Sequence, residues 1–127
     1  MAFKFGARSR RNLEGVHPAL QAIMMKAIQD SPIDFVIYEG RRTLNRQKQL
    51  YANGATTTMN SRHLTGHAVD LAPVVGREVR FDWPLYDILA KAIKKAAAGL
   101  NIPIIWGGDW KSFPDGPHFE LPRNLYP

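Results

Sequence analysis

The chain contains no cysteine, and that absence removes disulfides, thiolate metal sites and a thiol nucleophile together. Any metal it holds must be taken by histidine and carboxylate. Long apolar runs are also missing. The start, Met1-Ala-Phe-Lys-Phe-Gly-Ala-Arg-Ser-Arg-Arg11, has no stretch of signal-peptide type, and no later segment approaches a membrane span. A cytoplasmic product with no stable membrane insertion is expected. Acidic residues are few: 17 Lys+Arg against 11 Asp+Glu gives a net charge of +6, so the surface attracts polyanions. The basic residues are scattered, Arg8, Arg10 and Arg11 near the start and Lys91, Lys94 and Lys95 on one helix face, which argues against a nucleic-acid partner. Repeats, linkers and low-complexity tracts are absent. A length of 127 residues with 45% hydrophobic content suits one domain spanning 1–127 with its own core and no separate binding module.

Periodicity predicts the elements. Leu20, Ile23, Met24, Ala27 and Ile28 fall at helical spacing after Pro18, with Met24 on the buried stripe. Ser31-Pro32 breaks the chain, and Asp34 to Tyr38 reads as a buried strand ending at Gly40. Thr43 is a candidate N-cap for a helix through Tyr51 that Asn53-Gly54 ends, and Ala55 to Ser61 is loop. His67 to Ala72 is read as a strand, and Val74 to Val79 as a hairpin turning at Gly76. Asp82 is the expected cap of a long helix with Leu85, Ile88, Leu89, Ala92, Ile93 and Ala96 buried and Gly99 closing it. Strands over Ile102 to Trp106 and His118 to Leu121 complete the set. The irregular alternation and the hairpin favour an α+β fold, a mostly antiparallel sheet flanked by helices.

Three of the four histidines, His63, His67 and His118, lie in turn-rich or strand-edge segments with Asp70, Asp109, Asp115 and Glu120. A catalytic zinc site needs about three such ligands and one open position for water. On a strand over His67 to Ala72, Asp70 shares a face with Ala68 and Ala72 while His67 points the other way, so parity favours His63 over His67 as its partner. Glu120 would share a strand face with His118, either as a rival base or as a partner orienting that ligand. His17, before Pro18, is read as structural. Trp106, Trp110 and Phe113 either line a groove or join the core, the commoner fate.

The string Ser61-x-His63-x-x-Gly66-x-Ala68-x-Asp70, followed by Asp115-x-x-His118, resembles the zinc signature of the D-alanyl-D-alanine carboxypeptidase and dipeptidase family of metallopeptidases. It is most similar to the phage-endolysin branch, the L-alanyl-D-glutamate peptidases. The similarity extends to Gly40-Arg41-Arg42-Thr43, Gln47, Tyr51-Ala-Asn-Gly54 and Trp106 to Phe113, in the family's order.

The resemblance implies the small α+β metallopeptidase fold, one catalytic Zn2+ on His63, Asp70 and His118, Asp115 as general base or acid, and Arg42 steadying the oxyanion. Ser61 is a candidate substrate-binding residue, with loop capping as the alternative, and Arg41 and a salt bridge to Glu39 are the rivals for Arg42's role. Several branches carry Glu where this chain has Asp115, and the endolysin branch often has Asp. The expected activity is hydrolysis of a bond in the peptidoglycan stem peptide, L-alanyl-D-glutamate, by a monomeric phage enzyme. It would wait in the host cytoplasm for a holin-type permeabilising partner and be concentrated by the anionic envelope. The alternatives are a D-alanyl-D-alanine carboxypeptidase or dipeptidase, and a non-catalytic cell-wall-binding domain on the same metal fold.

Overall fold

Five antiparallel strands and four helices make up the protein in the computed structural model, which describes residues 2–56 and 58–127. Thr57, within the loop expected over 55–61, lies outside the described residues, as does Met1. The helices are α1 (Ala7–Leu13), α2 (Pro18–Asp30), α3 (Leu44–Ala52) and α4 (Trp83–Gly99). The strands are β1 (Asp34–Glu39), β2 (Ala68–Val75), β3 (Glu78–Val79), β4 (Ile105–Trp106) and β5 (His118–Glu120). They are ordered β1-β2-β5-β4, with the short β3 pairing the far end of β2. The α+β architecture with an antiparallel sheet is as expected.

Alternation along the strands separates a core face from a site face. Phe35 and Ile37 of β1, Val69 and Leu71 of β2 and Phe119 of β5 are buried in one cluster with Leu20, Ile23, Met24 and Ile28 of α2 and Leu89 and Ile93 of α4. Asp70 and His118 are direct cross-strand neighbours, as are Glu39 and Asp70, so both put polar groups on the opposite face. An irregularity in register between Ile37 and Glu39 brings Glu39 opposite Asp70.

Several local expectations hold for the expected reasons. His17 caps α2, its Nδ1 accepting from the Ala19 amide at 3.0 Å, and Thr43 caps α3 by accepting from Arg46. The β2–β3 hairpin turns at Gly76-Arg77, both at positive φ, the geometry of a two-residue loop.

Other expectations are corrected. The basic lead-in forms a helix, α1, whose buried positions are only Ser9 and Leu13, too few for an apolar stripe to be seen. Its polar residues serve the sheet instead: Ser9 Oγ accepts from the Ile37 amide and Asn12 Nδ2 donates to the Ile37 carbonyl, covering the open edge of β1. Asp82 occupies the N-cap of α4 but pairs with Arg80 at 2.6 Å rather than capping. The buried face of α4 runs through Tyr86, Leu89, Ala90, Ile93, Ala96 and Ala97, so Ile88 is exposed and Leu85 and Ala92 half-buried. Gly99 is the last helical residue, and the chain reverses at Asn101, with φ 59°. Pairing near Trp106 is confined to Ile105–Trp106 because Pro103 offers no ladder donor. Finally, β2 begins at Ala68, after His67, and runs through Pro73 to Val75, beyond the point where β5 has ended.

Candidate active site

His63, Asp70 and His118 each present a ligand atom, and the three atoms lie within 4.8 Å of one another. They arrive from different elements. A 3-10 turn over Arg62–Thr65, capped by Ser61 and closed by the left-handed Gly66, delivers His63. Strand β2 delivers Asp70 and β5 delivers His118. A Cβ on Gly66 would stand 2.3 Å from the Gly15 carbonyl oxygen, so only glycine lets the turn pass under the start of α2.

The hydrogen bonds fix how each imidazole is turned. His63 Nδ1 lies 2.9 Å from the Gly40 carbonyl, which can only accept, so Nδ1 carries a hydrogen and the neutral imidazole presents its lone pair at Nε2. That Nε2 is 3.2 Å from Asp70 Oδ1, yet it is buried without a directional hydrogen bond. A lone pair facing a carboxylate oxygen calls for a cation between them. His118 Nε2 donates to Glu120 Oε1 at 2.8 Å, which turns Nδ1 to within 3.2 Å of the same Asp70 oxygen. Two inward imidazole nitrogens and one carboxylate oxygen, each imidazole held from behind by an acceptor, fit a divalent ion such as zinc.

The titration behaviour follows from this packing. Burial pushes the Asp70 carboxyl up, but the neighbouring His118 and His63 imidazoles outweigh it and hold the pKa well below the usual range. Burial pushes His118 down, while its bonds to Asp70 and Glu120 raise its pKa to about 9. Asp115 is raised, first by burial and then by the charge of Asp70, with His118, His63 and Arg42 opposing. A carboxyl lifted in this way is better matched to taking and returning a proton near neutrality.

Arg42 is nearly buried in the cleft. Its Nε donates to Glu39 at 2.6 Å and its Nη1 to Gln47 at 2.7 Å, leaving Nη2 facing inward, 4.0 Å from Asp70 Oδ2. The Glu39 salt bridge expected as the rival reading of Arg42 is present, and with Gln47 it fixes where the guanidinium points. Arg41 faces a separate depression beside Gly15 and Leu64. Gln47, fully buried, also donates to the Thr58 carbonyl, tying the loop to α3.

Asp115 lines the same cleft on the loop before β5. It can come close because Gly107 has no side chain: a Cβ there would stand 2.5 Å from the Asp115 carbonyl oxygen and 3.1 Å from His118 Cβ. Ser61 also lines the cleft, and its Oγ accepts from the His63 amide at 3.2 Å, so it does cap the turn.

His67 lies elsewhere, its Nδ1 2.6 Å from Thr65 Oγ1 and its ring 5.4 Å from His17. Trp106 is core, donating to the Gly116 carbonyl. Trp110 borders the cleft with its ring 5.2 Å from that of His118, and Phe113 is solvent-exposed. Asp109 pairs with Lys94, away from the cleft.

The model of a family described as phage L-alanyl-D-glutamate peptidase matches residues 1–123. The chain belongs to this family. It is 35% identical to the L-alanyl-D-glutamate peptidase of Escherichia phage T5, over 99% of this chain and 94% of that one. It is 32% identical to the L-alanyl-D-glutamate peptidase of Listeria phage A118 over 95% of its own length, and spans 43% of that longer protein. Among solved structures, the Serratia marcescens L-Ala D-Glu endopeptidase ChiX superposes with a TM-score of 0.93 at 41% identity, covering 98% of this chain and 94% of that one. For this family member, sequence reasoning passed over Tyr38, Arg46 and Arg123, which also border the cleft. Tyr38 sits one position before Glu39 at the irregularity in β1, where alternation loses its meaning, and Arg46 and Arg123 read only as surface charge.

Proposed function

We propose that the protein is a zinc-dependent phage endolysin that hydrolyses the L-alanyl-D-glutamate bond of the peptidoglycan stem peptide. The observation that carries this reading is the inward turn of both imidazoles toward Asp70. Family membership selects the reaction, and the names of the relatives favour this bond over D-alanyl-D-alanine.

His63, Asp70 and His118 would hold the ion. A bound Zn2+ supplies an acidified water and polarisation of the scissile carbonyl. Asp115 takes the proton of the attacking water and returns it to the leaving nitrogen, a role suited to its raised pKa. Arg42 donates through Nη2 to the oxygen that gains charge, and its other nitrogens stay on Glu39 and Gln47. Ser61 keeps a hydroxyl hydrogen to offer substrate while its oxygen caps the turn.

No helix among the described residues is long and apolar enough to cross a membrane. We assign catalysis to one monomeric domain that accumulates in the host cytoplasm and reaches the wall after a holin-type partner opens the membrane. The net charge of +6 would hold it on an anionic envelope, so lysis by the purified protein is expected to weaken as salt is raised.

The deciding experiment is digestion of purified peptidoglycan followed by mass spectrometry, alongside elemental analysis. One zinc per chain and fragments with a new N-terminal D-glutamate are expected. Released D-alanine would replace this reading with the carboxypeptidase alternative, and zinc binding without any cleavage would leave a wall-binding domain.

A further inference from the structure

We infer that Arg46 and Arg123 form a carboxylate clamp that reads the D-glutamyl half of the substrate. The inference rests on the proposed reaction and adds what recognises the leaving side of the bond. Both arginines line the cleft that contains His63, Asp70 and His118.

The other charges of that cleft are engaged, except the Asp115 carboxylate proposed as the base, which has no partner among the described residues. Arg42 is paired with Glu39, Glu120 with His118, and Asp70 with both imidazoles. Arg62 is turned away, donating to the carbonyls of Leu121 and Tyr126. Arg46 lies in the first turn of α3 and borders the same cleft as Arg42, and its guanidinium has no hydrogen bond or ion pair among the described residues. Arg123 follows β5 and donates Nη2 to the Asn60 carbonyl at 2.8 Å, which places it beside Thr58 and Asn60 on the wall of the cleft, again with no carboxylate partner among the described residues. Two unneutralised forks therefore border a cleft whose other cations are all committed.

The substrate's chemistry supplies the complement. A glutamyl residue has two carboxyl groups, and only one of them can carry the peptide onward. The other stays free on the leaving side, a few bonds from the scissile nitrogen. A guanidinium matches a carboxylate with two parallel N–H donors, a fit that a carboxamide cannot return.

The test uses two synthetic stem peptides that differ only in that free group, carboxylate in one and carboxamide in the other. The kcat/KM ratio between them is measured for the wild-type zinc enzyme, Arg46→Gln, Arg123→Gln and the double variant. We expect wild type to favour the carboxylate peptide by about tenfold, the scale of one charge-assisted hydrogen bond. Each single variant should narrow the ratio, mainly through KM, and the double variant should bring it near one. Cleavage of both peptides at the alanyl-glutamyl bond with an equal rate in wild type, or with a ratio the variants leave unchanged, overturns the clamp alone. Failure of wild type to cut either peptide at that bond refutes the reaction itself.

Discussion

Replacing Glu120 with glutamine tests the metal reading without touching a ligand. His118 Nε2 donates to Glu120 Oε1 over 2.8 Å, and the two side chains are only 9% and 13% exposed, so the bond is poorly screened. It turns Nδ1 inward and feeds charge into the ring. Glutamine keeps the shape but offers a neutral acceptor, and neutral hydrogen bonds are roughly half as strong as charge-assisted ones. A loss of about 1.5 kcal/mol follows, or about tenfold in zinc affinity, the low end of what partners behind a ligand are worth. The deficit should depend on pH. In the metal-free protein a proton occupies the same ring, with the pKa raised to about 9. Near neutrality, Glu120→Gln weakens proton and metal alike, so the deficit is partly hidden. Above about pH 9 the proton no longer competes and the full loss appears. Titration against a chromophoric chelator at both pH values measures it, with circular dichroism to confirm an intact fold. Wild-type affinity at the higher pH would refute the proposed orientation of His118.

Asp115→Asn should keep zinc while kcat falls by at least about 100-fold, read by chelator titration and by turnover on the same preparation. Gly40→Ala puts a Cβ 1.8 Å from the Asn12 carbonyl oxygen and displaces the carbonyl that orients His63, so a loss of about 3 kcal/mol in denaturant unfolding and weaker zinc binding are expected together. In chelator, thermal stability should be greatest between about pH 4 and pH 6.5. The raised pKa of His118 stabilises the fold fully below 6.5 and is lost as pH rises through about 9, and the depressed Asp70 contributes above 3.8 and is lost as pH falls below it. Melting temperatures that stay flat from about pH 6 to pH 9 would show that the His118 contacts do not form.

Much of the fold was legible because the apolar spacing is strong. Pro18, Thr43 and Gly76 mark the element boundaries they were read to mark. What escaped was the work done by polar residues: nothing in Ser9 or Asn12 announces that α1 covers a strand edge. In the site, His63 and not His67 lies beside Asp70, but the parity behind that preference assumed a strand from His67, and β2 begins at Ala68. Arg42 came from resemblance, and its orientation by Glu39 and Gln47 depends on contacts that spacing does not encode. Arg46 and Arg123 are 77 positions apart in the chain, and only the fold brings them to one cleft.

Asp70 and His118 sit 48 positions apart in a chain that has no cysteine to join them. An ion shared by them would close that long loop as a removable staple. For a permanent cross-link of this span, chain entropy sets the gain at about 4 kcal/mol. The loaded enzyme would then unfold more slowly and resist proteolysis at the cell wall, and chelation would shorten its working life as well as stop its chemistry.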